Sequence, residues 1–253
     1  MSFYTGVNEP IPGSRNPVGY ITGLTADWLS NTTLTLNIGS CSDSLNEIDM
    51  TVATAITING AINGVTGLDT GSLAASTFYY VYVVGDSSSN NLPSAVISTS
   101  LTGPLMPYGY DCWRLVDAKV TDGSSHFRLS YTNGQYSTRE FVYNAPLTVG
   151  SLTTGTNYAA APLTGIVAPI GSPDVSFCAV FTPSAGGHIA YLRPTGATGD
   201  YAKLSGVVTS VAQYADIECT AFVASSIPSI SFKTTAATPE ALALYVKSFT
   251  YNV

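Results

Sequence analysis

The run Phe78-Tyr-Tyr-Val-Tyr-Val-Val84 constrains the fold more than any other stretch of this 253-residue chain. Aromatic and β-branched residues favour an extended backbone, and a strand sends successive side chains to opposite faces. Neither parity of the run is polar, so it predicts a central strand covered on both faces. Gly85-Asp-Ser-Ser-Ser-Asn-Asn91 ends it as a turn, and Ala95-Val-Ile-Ser98 predicts a strand returning from that turn.

Shorter segments repeat the theme. Period-two alternation in Leu34–Ile38 and Ile48–Val52 leaves each with one apolar face. Ile56-Thr-Ile-Asn59 runs into Gly60-Ala-Ile-Asn-Gly64, where Gly and Asn tolerate the positive φ of turns. Leu115–Val120 and Phe127–Tyr131 flank Thr121-Asp-Gly-Ser-Ser125, which predicts a hairpin with Asp-Gly at its tip. Beyond Gly134, apolar runs at Phe141–Tyr143, Val175–Phe181, Ile189–Leu192, Ile217–Val223 and Ile230–Lys233 are separated by Pro- and Gly-bearing turns. That rhythm predicts a β-sandwich or jelly roll. At the C-terminus, Thr238-Pro-Glu could open a helix with Thr as cap. Yet Ala241–Leu244 and Phe249–Val253 alternate on opposite parities, and a strand bulged near Lys247 reconciles them, since one inserted residue swaps the apolar face. The strand is the preferred reading.

The predicted organisation is therefore all-β: an extended arm over 1–18, an antiparallel β domain over 19–130, and a jelly-roll-like β-sandwich over 131–253. Pro10, Pro12 and Pro17 fix φ and remove backbone donors, so the arm cannot enter a sheet interior. Either it attaches to a larger partner, or it stays disordered or packs against its own chain.

Charged residues make up only 10% of the sequence, against roughly 25% in ordinary soluble domains, so hydroxyls and amides must form much of the surface. A net charge of −7 without a basic run argues against phosphate-tracking nucleic-acid binding. No apolar stretch approaches about 18 residues, and the first residues show no secretory pattern. Cys41, Cys112, Cys178 and Cys219 stand singly, so no zinc site is predicted; they read as small buried hydrophobes, with a Cys178–Cys219 disulfide as the minority reading.

Catalytic signals are sparse. His126 and His188 both follow turns and read as exposed hairpin residues, and no nucleophile, phosphate-loop or zinc-protease motif occurs. Glu47 and Asp49 would share a strand face, the placement of a glycosidase pair, but alternate polar residues on a half-exposed strand explain them. No enzyme, metal site or cofactor is predicted. Sixteen tyrosines allow two uses, stacking against sugars or lining subunit contacts. Trp113 reads as core, and Trp28 as packing on the arm or a neighbouring subunit. Asn31-Thr-Thr33 matches a glycosylation acceptor by chance.

Four features recur in order: Tyr20-Ile-Thr-Gly-Leu24, Gly67-Leu-Asp-Thr-Gly71, Pro107-Tyr-Gly-Tyr110 and Thr121-Asp-Gly-Ser-Ser125. Over residues 20–127 this set resembles a family of tailed-bacteriophage tail-fibre and minor structural virion proteins. The resemblance implies a trimeric fibre or decoration subunit. It would be made in the bacterial cytoplasm without secretion, reside in the virion, and attach to a capsid, neck or tail protein through the arm. Phe3, Tyr4, Pro10, Pro12 and Arg15 are then the candidate anchoring residues. The chain departs from the family where a basic pair follows the Gly-Tyr step: here it reads Asp111-Cys-Trp-Arg114, and only Arg114 could serve. The alternative function is recognition of a host surface glycan by the C-terminal sandwich.

Overall fold

A computed structural model describes residues 16–134, 136–206, 209–224, 227–238 and 240–253. All regular elements among them are strands. The first half contains β1 (Ile21–Gly23), β2 (Ala26–Trp28), β3 (Thr33–Leu36), β4 (Gly39–Ser42), β5 (Asp49–Val52), β6 (Ile56–Asn59), β7 (Phe78–Gly85), β8 (Ser94–Ser98) and β9 (Cys112–Val120). The second contains β10 (Ser130–Asn133), β11 (Thr138–Thr154), β12 (Ala159–Pro162), β13 (Asp174–Phe181), β14 (Ile189–Pro194), β15 (Ala202–Ser205), β16 (Gln213–Thr220), β17 (Phe222–Ala224), β18 (Ile227–Thr234) and β19 (Glu240–Asn252).

The first nine strands form three antiparallel sheets of three, ordered β1-β4-β5, β2-β3-β6 and β8-β7-β9. As its sequence predicts, β7 is buried along its whole length and lies between two neighbours, with β8 returning from the 86–93 turn. Gly23 closes β1 with φ +63°, and a Cβ there would lie 2.3 Å from the Ile38 carbonyl oxygen, so the crossing of β1 and β4 requires glycine.

Beyond residue 130 the strands nest. β11 pairs with β19, β12 with β18, β13 with β16, and β14 with β15, as though one long hairpin had been folded over on itself. β13–β19 and β14–β18 pairings join these into the sheets β10-β11-β19-β13-β16 and β12-β18-β14-β15, with β17 beside β18. This strand order is a jelly roll. In β19, Val246 and Ser248 pair with consecutive residues Phe177 and Ser176, leaving Lys247 as the extra residue. Leu242, Leu244 and Val246 point inward before the bulge, and Phe249 and Tyr251 after it, which is the parity switch the sequence called for.

The apolar interior has two parts that share β7. Tyr79, Val81 and Val83 face a cluster with Ile21, Leu34, Leu36 and Ile58 of the small sheets. Phe78, Tyr80, Tyr82 and Val84 face the jelly roll, in one cluster with Phe141, Phe177 and Phe249. Phe249 anchors this contact, 6.2 Å from the Phe78 ring centroid and stacked at 5.0 Å on Phe141.

Two local expectations are corrected. The Thr121–Ser125 turn forms, with the Asp122 amide donating to His126 O, but the hairpin stops at a single Thr121–Phe127 bridge. Residues 130–133 then pair with β11 instead of continuing beside β9. Glu47 lies ahead of β5, in a loop whose amides at Leu45, Glu47 and Ile48 donate to the buried Asp43 carboxylate, so it shares no strand with Asp49. Cys178 and Cys219 are unpaired: Cys219 lies opposite inward-facing Val175, whereas Cys178 alternates to the outer face.

Candidate functional site

The anchoring candidates Phe3, Tyr4, Pro10, Pro12 and Arg15 lie outside the described residues. The chain enters the described structure at one end of the first half. There the Gly19 amide donates to Asn46 Oδ1 at 2.6 Å, and the Ser44 amide donates to Trp113 O. Ser87 binds the Asp111 carboxylate, Asn91 Nδ2 donates to Gly109 O at 2.9 Å, and Tyr110 donates to Leu92 O. Loop 43–48 is thereby tied to Gly19, and loops 86–93 and 105–111 to each other. They hold Val18, Leu45, Leu92 and Tyr108 in solvent, and a groove of about 450 Å³ runs between Leu45, Ile48 and Trp113. Arg114 Nη2 donates to both Gly19 O and Val253 O at 3.4 Å, fastening the segment before β1 to the end of the sequence. Trp113 packs edge-on against Tyr82 at 5.3 Å, and the Trp28 ring nitrogen donates to Phe127 O at 2.9 Å.

Where the halves meet, polar groups are sealed in. Asp117, Lys119 and Arg139 are 0, 1 and 0% exposed. The Asp117 carboxylate accepts from the Ala26 amide (2.6 Å), the Ala118 amide (2.7 Å), the Tyr251 hydroxyl (2.7 Å) and Thr132 Oγ1 (3.2 Å). Lys119 Nζ lies 3.6 Å from it and 5.0 Å above the Phe141 ring. Burial pushes the Lys119 ammonium below its ordinary range, opposed by Asp117, and pushes the Tyr251 phenol up. Arg139 donates to Val116 O (3.0 Å), Gly134 O (3.3 Å) and Gly23 O (2.8 Å). The bonds from Ala26, Tyr251 and Thr132 to Asp117, and from Arg139 to Val116 and Gly23, join separate segments, so the network fixes the orientation of the halves. Its only sequence signal is Asp117 and Lys119 two apart, and hence on one face, in an otherwise apolar strand.

His188 is half-buried, not an exposed turn residue: its Nδ1 lies 2.7 Å from Glu240 Oε1. Ser184 donates to the same oxygen through its amide (2.6 Å) and its hydroxyl (2.5 Å). Burial alone would raise the Glu240 carboxyl, but these partners outweigh it and bring it below its ordinary value. The serine proton goes to the carboxylate and not to the imidazole, so the trio pins the 182–188 loop to the start of β19 instead of activating a nucleophile. His126 is likewise half-buried, its amide held by Asp122 Oδ1 at 3.0 Å.

The outer face of β12-β18-β14-β15 collects rings and cations from four separate segments. Tyr191 lies directly opposite Lys203 on one side and Lys233 on the other. Arg193 Cζ sits 3.5 Å from the Tyr158 ring centroid, and Lys233 Nζ lies 4.7 Å from the same ring. Asp200 pairs with Lys233 at 3.0 Å and accepts from the Tyr158 hydroxyl, and these bonds hold its carboxyl below the usual range. Arg193 has no hydrogen bond or ion pair to any described residue, and its Nε is buried. Thr195 Oγ1 links Ser229 and Ser231 at 3.1 Å beside it.

No protein-family model matches the chain, and no curated protein matches it. Among solved structures, the infectious bursal disease virus VP2 subviral particle is similar at 12% identity and a TM-score of 0.26, over 92% of this chain and 68% of that one. So slight a likeness carries no argument, and the jelly-roll assignment rests on the strand order itself.

Proposed function

We propose that the chain is a non-enzymatic structural subunit of a tailed-phage virion, a trimeric fibre or decoration protein held to capsid, neck or tail by its N-terminal arm. The observation that carries this reading is the apolar end from which the arm leaves. Val18, Leu45, Leu92 and Tyr108 are exposed there on loops braced by hydrogen bonds, in a chain poor in charge. Exposed apolar side chains gathered on a rigid surface mark a contact with another subunit. The trimeric state and the phage setting come from the ordered motifs between Tyr20 and Phe127. Deleting residues 1–15 tests the reading: the shortened chain keeps its fold and oligomeric state but fails to join particles assembled in its presence. Full incorporation overturns the anchoring role, and a monomer by light scattering overturns the trimer.

A second reading, glycan recognition by the C-terminal jelly roll, is favoured by the tyrosine- and cation-bearing face of its β12-β18-β14-β15 sheet.

A further inference from the structure

Lysine and arginine number nine in this acidic chain, and three of them, Arg193, Lys203 and Lys233, share one outer sheet face. The acid this face sets among them is Asp200, which is committed to Lys233 and Tyr158. The opposite sheet presents Asp216 and Glu218 on its exposed edge strand and sets Lys247 against Asp216. A solvated face on a chain of net charge −7 has no reason to concentrate cations.

The arrangement of these cations is specific. Arg193 sits on the Tyr158 ring, which fixes the guanidinium, and it makes no direct hydrogen bond or ion pair with a described carboxylate, Asp200 acting on it only at longer range. A pre-oriented, unpaired guanidinium matches a planar carboxylate in two-point contact. Lys203 is exposed and makes no ion pair with a described residue. Tyr191 lies between Lys203 and Lys233, and Tyr201, 67% exposed, follows the Asp200 turn, its amide donating to Leu192 O. The row from Lys203 to the Tyr158 side crosses four strands, roughly 15 Å at the usual strand spacing, and exceeds a single sugar ring.

We propose that this face binds an acidic polysaccharide, a polymer of carboxylated sugar rings, with Arg193 and Lys203 taking carboxylates while Tyr191 and Tyr201 lie against ring faces. The proposal rests on the reading of the jelly roll as a glycan-binding module, and it names the site and the ligand chemistry. Separated cations require repeated carboxylates, which a polymer supplies. Amphipathic tyrosine faces and the Thr195–Ser229–Ser231 hydroxyls suit the apolar faces and hydroxyls of sugars.

The test uses the full chain and three immobilised probes: polygalacturonate, the same polymer with its carboxyls reduced, and poly-L-glutamate. Binding to polygalacturonate should exceed binding to each of the others at least about tenfold, equivalent to about 1.4 kcal/mol, and should weaken with salt. Lys203→Ala and Tyr201→Ala change exposed side chains and preserve the fold; each should weaken binding severalfold, and Arg193→Lys should do so by losing the two-point contact. Equal binding to polyglutamate overturns the proposal in favour of a simple polyanion patch. Equal binding to the reduced polymer overturns the acidic specificity but leaves the glycan reading standing, whereas no binding to either sugar polymer removes both. Salt-sensitive self-association lost in Lys203→Ala would assign the face to a second copy and overturn the proposal.

Discussion

Asp117→Ala is the sharpest test of how the two halves are held together. The carboxylate is fully buried and accepts from two backbone amides, the Tyr251 hydroxyl and Thr132, with the Lys119 ammonium 3.6 Å away. Hydrogen bonds to a charged group contribute about 1.5–3 kcal/mol each. Removing the carboxylate also strips the buried Lys119 ammonium of its close anionic partner, leaving the Thr132 hydroxyl and the Phe141 ring as its near contacts among the described residues. Uncompensated buried charges of this kind cost about 3–5 kcal/mol, and water entering the space limits the loss to that range. With a urea slope of roughly 2–3 kcal/mol/M, the midpoint should fall by roughly 1–2.5 M. Ala26 and Asp117 belong to the first half, and Thr132 and Tyr251 to the second, so fluorescence and circular dichroism should follow the same shifted transition. Lys119→Met in the Asp117→Ala background should recover part of the loss, giving a coupling of about 1–3 kcal/mol. A loss under about 1 kcal/mol, additive effects, or movement of only one of two resolved transitions would refute the reasoning.

Three further outcomes are expected. Deleting Lys247 removes the bulge and turns either Leu242–Val246 or Phe249–Tyr251 outward, so circular dichroism should show loss of the native fold; Lys247→Ala, which keeps the residue and loses an exposed pair with Asp216, should cost under about 1 kcal/mol. Glu240 has a folded-state value below its ordinary 4.5, so its contribution is complete above that pH and is lost as pH falls through the lower folded value; the melting-temperature gap between the wild type and Glu240→Gln should therefore be widest above pH 4.5 and close in stronger acid. Iodoacetamide should label Cys178 alone in the native protein, because burial pushes Cys41 up to about 12 and Cys112 and Cys219 up to about 11; labelling of all four without denaturant would contradict the packing.

The candidate binding face was illegible in the sequence for a definite reason. Tyr158, Tyr191, Arg193, Lys203 and Lys233 come from four strand segments up to 75 positions apart, and only the nested β12/β18 and β14/β15 pairings put them on one surface. Each alone reads as an ordinary outward residue on a half-buried strand. The Glu240–His188–Ser184 contact was hidden in the same way, since it closes across 56 positions.

Side-chain alternation is a local property of the chain, and it settled what is local. The sequence by itself determined that the protein is built of strands, that β7 is covered on both sides with β8 returning beside it, and that β19 changes face at Lys247. Alternation states which side of a strand must be dry but not what dries it. Tertiary structure decided that the jelly roll covers one face of β7 and the small sheets the other, that residues 130–133 leave the Asp-Gly turn to join β11, and that Asp117 and Lys119 face an interior seam instead of water. Those outcomes depend on which distant edges find each other, and backbone hydrogen bonding is indifferent to sequence until side-chain burial selects the register.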